Sequence, residues 1–163
     1  MGRVVEKEVV TMKRSLMLFA VLLVYSSAAY PSEMPADSLA KVRASIESRY
    51  PDNYSMQKAL IDDQVESYNF LEIYTPRNVP ADLFEKIRDP INSRYPHNFS
   101  MQKTLIEDQV KSYEYLQTYS PSSVPPNVLQ GIKSRISSKY PYNFSMQKAL
   151  IEDQVKSYLD LNK

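Results

Sequence analysis

The stretch Tyr95–Tyr113, YPHNFSMQKTLIEDQVKSY, decides the fold. It stands also at Tyr50–Tyr68 as YPDNYSMQKALIDDQVESY and at Tyr140–Tyr158 as YPYNFSMQKALIEDQVKSY, a period of 45 residues. Fourteen of the nineteen positions are identical in all three copies, so whatever local structure the phrase dictates is dictated three times. Its opening Tyr-Pro ends a helix, because a residue before proline is pushed out of the α region. The Asn two places on, Asn53, Asn98 or Asn143, is a helix N-cap type, with Ser55, Ser100 and Ser145 as alternatives. A helix of about 18–20 residues is then expected, reaching Leu71, Leu116 and Leu161. Its apolar face in the first copy is Tyr54, Leu60, Ile61, Val65, Tyr68 and Leu71. Thr75-Pro76 and Ser120-Pro121 stop it.

The register extends upstream. Pro31, Pro76 and Pro121 fall in step, as do Pro35, Pro80 and Pro125. After the second proline a shorter helix is expected, with Asp37, Asp82 or Asn127 as its cap and capping-box partners at Glu85 and Gln130. One apolar stripe at three- and four-residue steps follows: Leu39, Val42, Ile46; Phe84, Ile87, Ile91; Leu129, Ile132, Ile136. Arg49, Arg94 and Lys139 close it, cations at the negative end of the dipole. Pro90, mid-helix in the second unit, is expected to kink or split its helix. Past residue 29 the only glycine is Gly131, so turns that need positive φ are expected to be scarce, and strand hairpins with them. The expectation is an all-α fold: three tandem helical hairpins (31–75, 76–120 and 121–163), stacked as a short solenoid or bundle. The period is nearer to that of HEAT and armadillo arrays than to the tetratricopeptide period, although their signature residues are absent. The pattern Tyr-Pro-x-Asn-[Tyr/Phe]-Ser-Met-Gln followed by Gln-x-x-x-Tyr resembles a short helical repeat of uncharacterised exported bacterial proteins. That resemblance implies no activity.

Residues 1–29 read as an upstream extension and a secretory signal peptide. Lys13 and Arg14 precede the apolar run Leu16–Tyr25, with Ser27 and Ala29 as small residues before a cleavage after Ala29. The run is short for a membrane span. Met1–Thr11 fits no signal pattern, which leaves Met1 and Met12 both open as the start. The remaining domain, 30–163, is expected to be secreted or periplasmic. There is no cysteine, so there are no disulfides and no thiolate metal sites. The whole chain has 20 basic and 19 acidic residues. Cleavage would remove Arg3, Lys7, Lys13 and Arg14 against Glu6 and Glu8, leaving the domain near neutral. Neutrality argues against nucleic acid as a partner, and against an anionic membrane once the signal is cleaved.

The repeated polar positions are the candidate ligand-binding residues: Gln57, Gln64 and Tyr68; Gln102, Gln109 and Tyr113; Gln147, Gln154 and Tyr158. The two glutamines of each unit lie seven apart, on one helical face. They either bond a loop of the neighbouring unit or line a groove for a peptide or glycan; the first use is favoured, since buried amides rarely go unpaired. Lys58–Asp62, Lys103–Glu107, Lys148–Glu152, Asp108–Lys111 and Asp153–Lys156 are expected as exposed ion pairs. The regularly spaced tyrosines are expected to pack, with hydroxyls at the surface. Asn53, Asn98 and Asn143 head Asn-x-Ser sequons, read here as by-products of helix capping. His97 is the only histidine, so no transition-metal site is expected. No cofactor, no metal and no catalytic residue is assigned. The functional expectation is a non-enzymatic exported module that binds or scaffolds another protein of the cell envelope or exterior. The alternatives are a hydrolase or binder of cell-wall glycan, and a purely structural exported protein.

Overall fold

A computed structural model describes residues 33–163, and the signal-peptide reading of residues 1–29 lies outside the described residues. The described chain is all-helical. Its elements are α1 (Ala36–Arg49), α2 (Tyr54–Ile73), α3 (Ala81–Arg94), α4 (Phe99–Thr118), α5 (Pro126–Lys139) and α6 (Phe144–Leu161). α1, α3 and α5 have 14 residues each, α2 and α4 have 20, and α6 has 18. α1 packs on α2, α3 on α4 and α5 on α6, while α2 packs on α4 and α4 on α6. Among the described residues, no two of α1, α3 and α5 have Cα atoms within 8 Å. The long helices therefore form a contiguous layer, and the short ones stand apart upon it. α4, flanked on both sides, buries Gln102, Ile106, Gln109, Val110, Ser112 and Leu116, whereas α2 fully buries only Ser67. Three apolar clusters fill the layers, centred on Val42 and Ile46, on Ile87 and Ile106, and on Ile136 and Ile151.

The starts of the short helices differ from the sequence expectation. The cap residues are Pro35, Pro80 and Pro125, without side-chain caps. Their carbonyls accept from Leu39, Phe84 and Leu129 at 2.9–3.0 Å. Asp37, Asp82 and Asn127 sit at the second helical position instead. A hydrophobic staple replaces the side-chain cap: Met34, Val79 and Val124, one residue before each proline, are buried in the cluster that also takes in Leu39, Phe84 or Leu129. Burial of an apolar residue on each side of the proline fixes where the chain enters the helix. Asp37 keeps a role as a first-turn anion, hydrogen-bonded by Lys41 at 2.6 Å, which holds its carboxyl below the usual range.

The Asn caps of the long helices form as expected, with Asn53, Asn98 and Asn143 accepting from Met56, Met101 and Met146 N–H at 3.2 Å. Tyr54, assigned to the apolar face, is 74% exposed. Pro90 does not split α3, which runs unbroken to Arg94. Pro90 lies on the exposed face, where water can serve the carbonyl it leaves unbonded.

Candidate functional site

The Tyr-Pro-x-Asn turn is the first piece of the site. Asn53 N–H bonds Tyr50 C=O at 3.3 Å, and the later copies repeat it at 3.1 and 3.3 Å. Asp52, His97 and Tyr142 have φ of 61°, 61° and 64°. Proline at the second turn position with positive φ at the third is the type II turn. Such turns were expected to be scarce for want of glycine; three are present, built on residues with side chains. Asp tolerates this region and Tyr does so poorly. Gln57, Gln102 and Gln147 then donate their amides to the Tyr50, Tyr95 and Tyr140 carbonyls at 2.7–2.8 Å. The carbonyl at the bend thus accepts two bonds, and the first glutamine of each copy locks its own turn.

The second glutamine reaches across to the next long helix. Gln109 Oε1 accepts from Phe144 N–H at 2.6 Å and Ser145 N–H at 3.2 Å, and its Nε2 donates to Ser145 Oγ at 2.8 Å. Gln64 accepts from Ser100 N–H at 3.3 Å and donates to Asn98 Oδ1 at 3.3 Å. These amides satisfy first-turn N–H groups that a helix leaves without internal partners. Tyr68 and Tyr113 meet Phe99 and Phe144 edge-on, centroids 5.1 and 5.0 Å apart. Gln154 and Tyr158 have no following helix among the described residues; Gln154 is exposed and Tyr158 half-buried. Of the nine candidate residues, seven therefore have a hydrogen-bond or ring partner in a turn or a neighbouring helix, and Tyr158 packs against the Ile136–Ile151 cluster.

The expected ion pairs are mostly replaced. Among the described residues Lys58–Asp62 forms, but the other four pairs do not. Lys103 lies instead over the Phe70 ring and Lys148 over the Tyr115 ring, each at 4.8 Å, because the neighbouring long helix brings an aromatic face within reach. Glu107 pairs with Lys111 at 3.7 Å. Glu152 accepts the Tyr115 hydroxyl, whose pKa is pushed up to about 12, chiefly by that bond. Lys133 reaches from α5 to the Leu116 and Tyr119 carbonyls at 3.1 and 2.7 Å, and burial lowers its pKa.

The separation of the short helices leaves clefts between them. One, of about 460 Å³, lies between α1 and the turn before α4; its polar lining includes Lys41, Arg49, Arg94, His97 and Gln64. A second, of about 410 Å³, lies between α3 and the turn before α6, with Lys86, Arg94, Gln109 and Tyr142. A third, of about 180 Å³, lies against α5 and α6, with Arg135, Lys139 and Gln154. No Asp or Glu lines any of the three. Lys41 and Lys86 are paired with Asp37 and Asp82 along their own helices. Arg49, Arg94, Arg135 and Lys139 form no ion pair among the described residues. The second glutamines thus do line grooves, Gln64 and Gln109 with most of their polar capacity spent on the neighbouring helix. The cations are what the grooves offer to a ligand.

Sequence reasoning assigned Arg49, Arg94 and Lys139 to the helix dipole and did not find the clefts. A signal was present: these cations recur in register and have no acid three or four residues earlier on the same helix to neutralise them. Among the described residues no group of three or more His, Asp or Glu side chains could hold a metal ion, and no helix is long and apolar enough to cross a membrane. Comparison with protein-family models, curated proteins and solved structures finds no match.

Proposed function

We propose that the domain is a three-unit array of helical hairpins that acts as an exported, non-enzymatic binding or scaffolding module. Its ligand is an extended acidic segment of another protein, laid across the clefts between the short helices. The observation that carries this reading is the lining of the clefts: cations at equivalent positions and no carboxylate, in a chain whose total charge is +1. A near-neutral chain that gathers cations in its grooves creates a local field although its net charge creates none. Arg94 lines both larger clefts and joins them. Export rests on the Lys13–Ala29 pattern. The hydrolase alternative needs a pair of carboxylates facing a substrate; the three clefts described above have none, and a further hollow of about 270 Å³ beside Tyr68, Arg88 and Gln102 has one, Glu72.

The test is binding of a fluorescent Glu-rich peptide to the purified chain, read by anisotropy across a salt series. Binding should weaken as salt rises. Arg94→Glu should remove most of it while the helical circular dichroism spectrum is kept. Equal binding of the peptide by Arg94→Glu, or a stronger response to an acidic polysaccharide than to the peptide, would overturn the protein-binding reading.

A further inference from the structure

The two ends of the described helical layer are complementary to each other. At the α2–α4 and α4–α6 junctions the outgoing helix offers a glutamine, a small serine, a tyrosine and a leucine in sequence. Gln64, Ser67, Tyr68 and Leu71 do so first, then Gln109, Ser112, Tyr113 and Leu116. Ser67 and Ser112 are buried there, since their small side chains let the helices approach. The incoming helix offers its Asn cap, an aromatic residue and the N–H groups of its first turn.

Both halves of this junction recur without a partner among the described residues. On α6 the outgoing set is Gln154, Ser157, Tyr158 and Leu161. Ser157 is exposed where its counterparts are buried, and Leu161 is 86% exposed against 8% for Leu116. On α2 the incoming set is Asn53, Tyr54 and Ser55, all exposed, whereas Phe99 and Phe144 are half-buried against the preceding tyrosine. A third element agrees. Lys103 and Lys148 sit over Phe70 and Tyr115 of the preceding helix. The residue in register after Phe70 and Tyr115 is Asp160, and the residue in register before Lys103 and Lys148 is Lys58. At a junction between ends these would meet as opposite charges. Asp62, in register with Glu107 and Glu152, would approach the same place; Lys58 already pairs with it and Asp160 with Lys163, so the contact would exchange these local partners for a new one.

We propose that a second copy of this chain seats the start of its α2 on the α6 face of the first, continuing the internal junction from one molecule to the next. Such a contact joins two different surfaces, so it does not close on itself at two copies. It propagates as a ring or an open filament, according to the rotation at each step.

The experiment is sedimentation velocity on the purified full chain over a wide concentration range. The expected result is a mass that grows beyond the dimer with concentration. Ser157→Arg, placed where the junction needs a small residue, should raise the association Kd at least about tenfold. Because Ser157 is exposed, its helical spectrum should be unchanged. Lys58→Glu and Asp160→Lys should each weaken association, and the double variant should restore it. This swap stands whatever becomes of Ser157→Arg. A mass that stays monomeric throughout overturns the proposal. A dimer that saturates also overturns it, as does growth indifferent to both sets of substitutions.

Discussion

Replacing Gln109 by alanine tests how the long helices hold their register. The alanine removes an acceptor from two first-turn N–H groups of α6, those of Phe144 at 2.6 Å and Ser145 at 3.2 Å. It also removes a donor from Ser145 Oγ at 2.8 Å; the remaining bond to Asn143, at 3.4 Å, is too long to count for much. A buried donor left without a partner costs about 1–3 kcal/mol. Phe144 and Ser145 are half-buried, so water recovers part of this and the lower end applies. Adding the lost side-chain packing of about 0.8 kcal/mol per methylene, the change should destabilise by roughly 2–3 kcal/mol. Gln64→Ala, with one N–H donor at 3.3 Å, should cost about 1 kcal/mol. Gln154→Ala, with no described partner, should stay within about 0.5 kcal/mol. Urea melts of the three variants read this through the midpoint at constant slope. A reduced slope in Gln109→Ala would report that α6 has become uncoupled from α4. An unchanged midpoint for Gln109→Ala, or an equal loss for Gln154→Ala, would refute the reasoning.

Three further outcomes are expected. Tyr142→Asn should stabilise by about 0.5–1 kcal/mol in the same melts, since asparagine tolerates the φ of 64° that tyrosine resists; the lost contact with Lys86 at 5.3 Å offsets only part. Pro90→Ser, which restores an N–H inside α3, should stabilise by about 1–2 kcal/mol and slow amide exchange around Lys86, and a destabilised variant would count against the continuous helix. The Tyr115 pKa is raised to about 12. Its bond to Glu152 therefore contributes stability that is full below the ordinary tyrosine pKa, about 10, and is lost as pH rises toward the folded value. Tyr115→Phe should flatten the alkaline fall in stability over that window and remove one late-titrating phenolate from the ultraviolet titration.

The helices were legible because their determinants are local. Tyr-Pro stops, Asn caps and an apolar stripe at three- and four-residue steps each act within one or two turns, and all three recur in register. What escaped was set by burial or by strain. Asp37 looks like a cap in sequence, but burying Met34 and Leu39 on either side of Pro35 moves the helix start two residues earlier. Positive φ was judged by glycine content, yet Asp52, His97 and Tyr142 take it, because Pro51, Pro96 and Pro141 leave a type II turn as the way to bring each Asn to its cap. Lys103–Glu107 satisfies the helical spacing rule, but that rule cannot see the Phe70 ring on the neighbouring helix.

The candidate site shows the same division more sharply. The repeated glutamines drew attention because they are polar and identical, and the structure gives that identity a cause. Gln57 and its counterparts must reach a carbonyl seven residues back, and Gln64 and Gln109 must reach the next helix, so a change at either position leaves a backbone group unpaired. Identity among the copies here measures structural obligation. In the proposed function the ligand is read by residues under no such obligation, which vary in detail while keeping their charge: Arg49, Arg94 and Lys139, whose helix ends require no hydrogen bond from them. Their common property is a cation facing a cleft without an acid, and it emerges only when the short helices are seen to stand apart. That spacing follows in turn from the long helices, which carry the junction residues and set the distance between neighbours. On the proposed binding role, the repeated phrase would act indirectly, by holding open the clefts that the less constrained short helices line with charge.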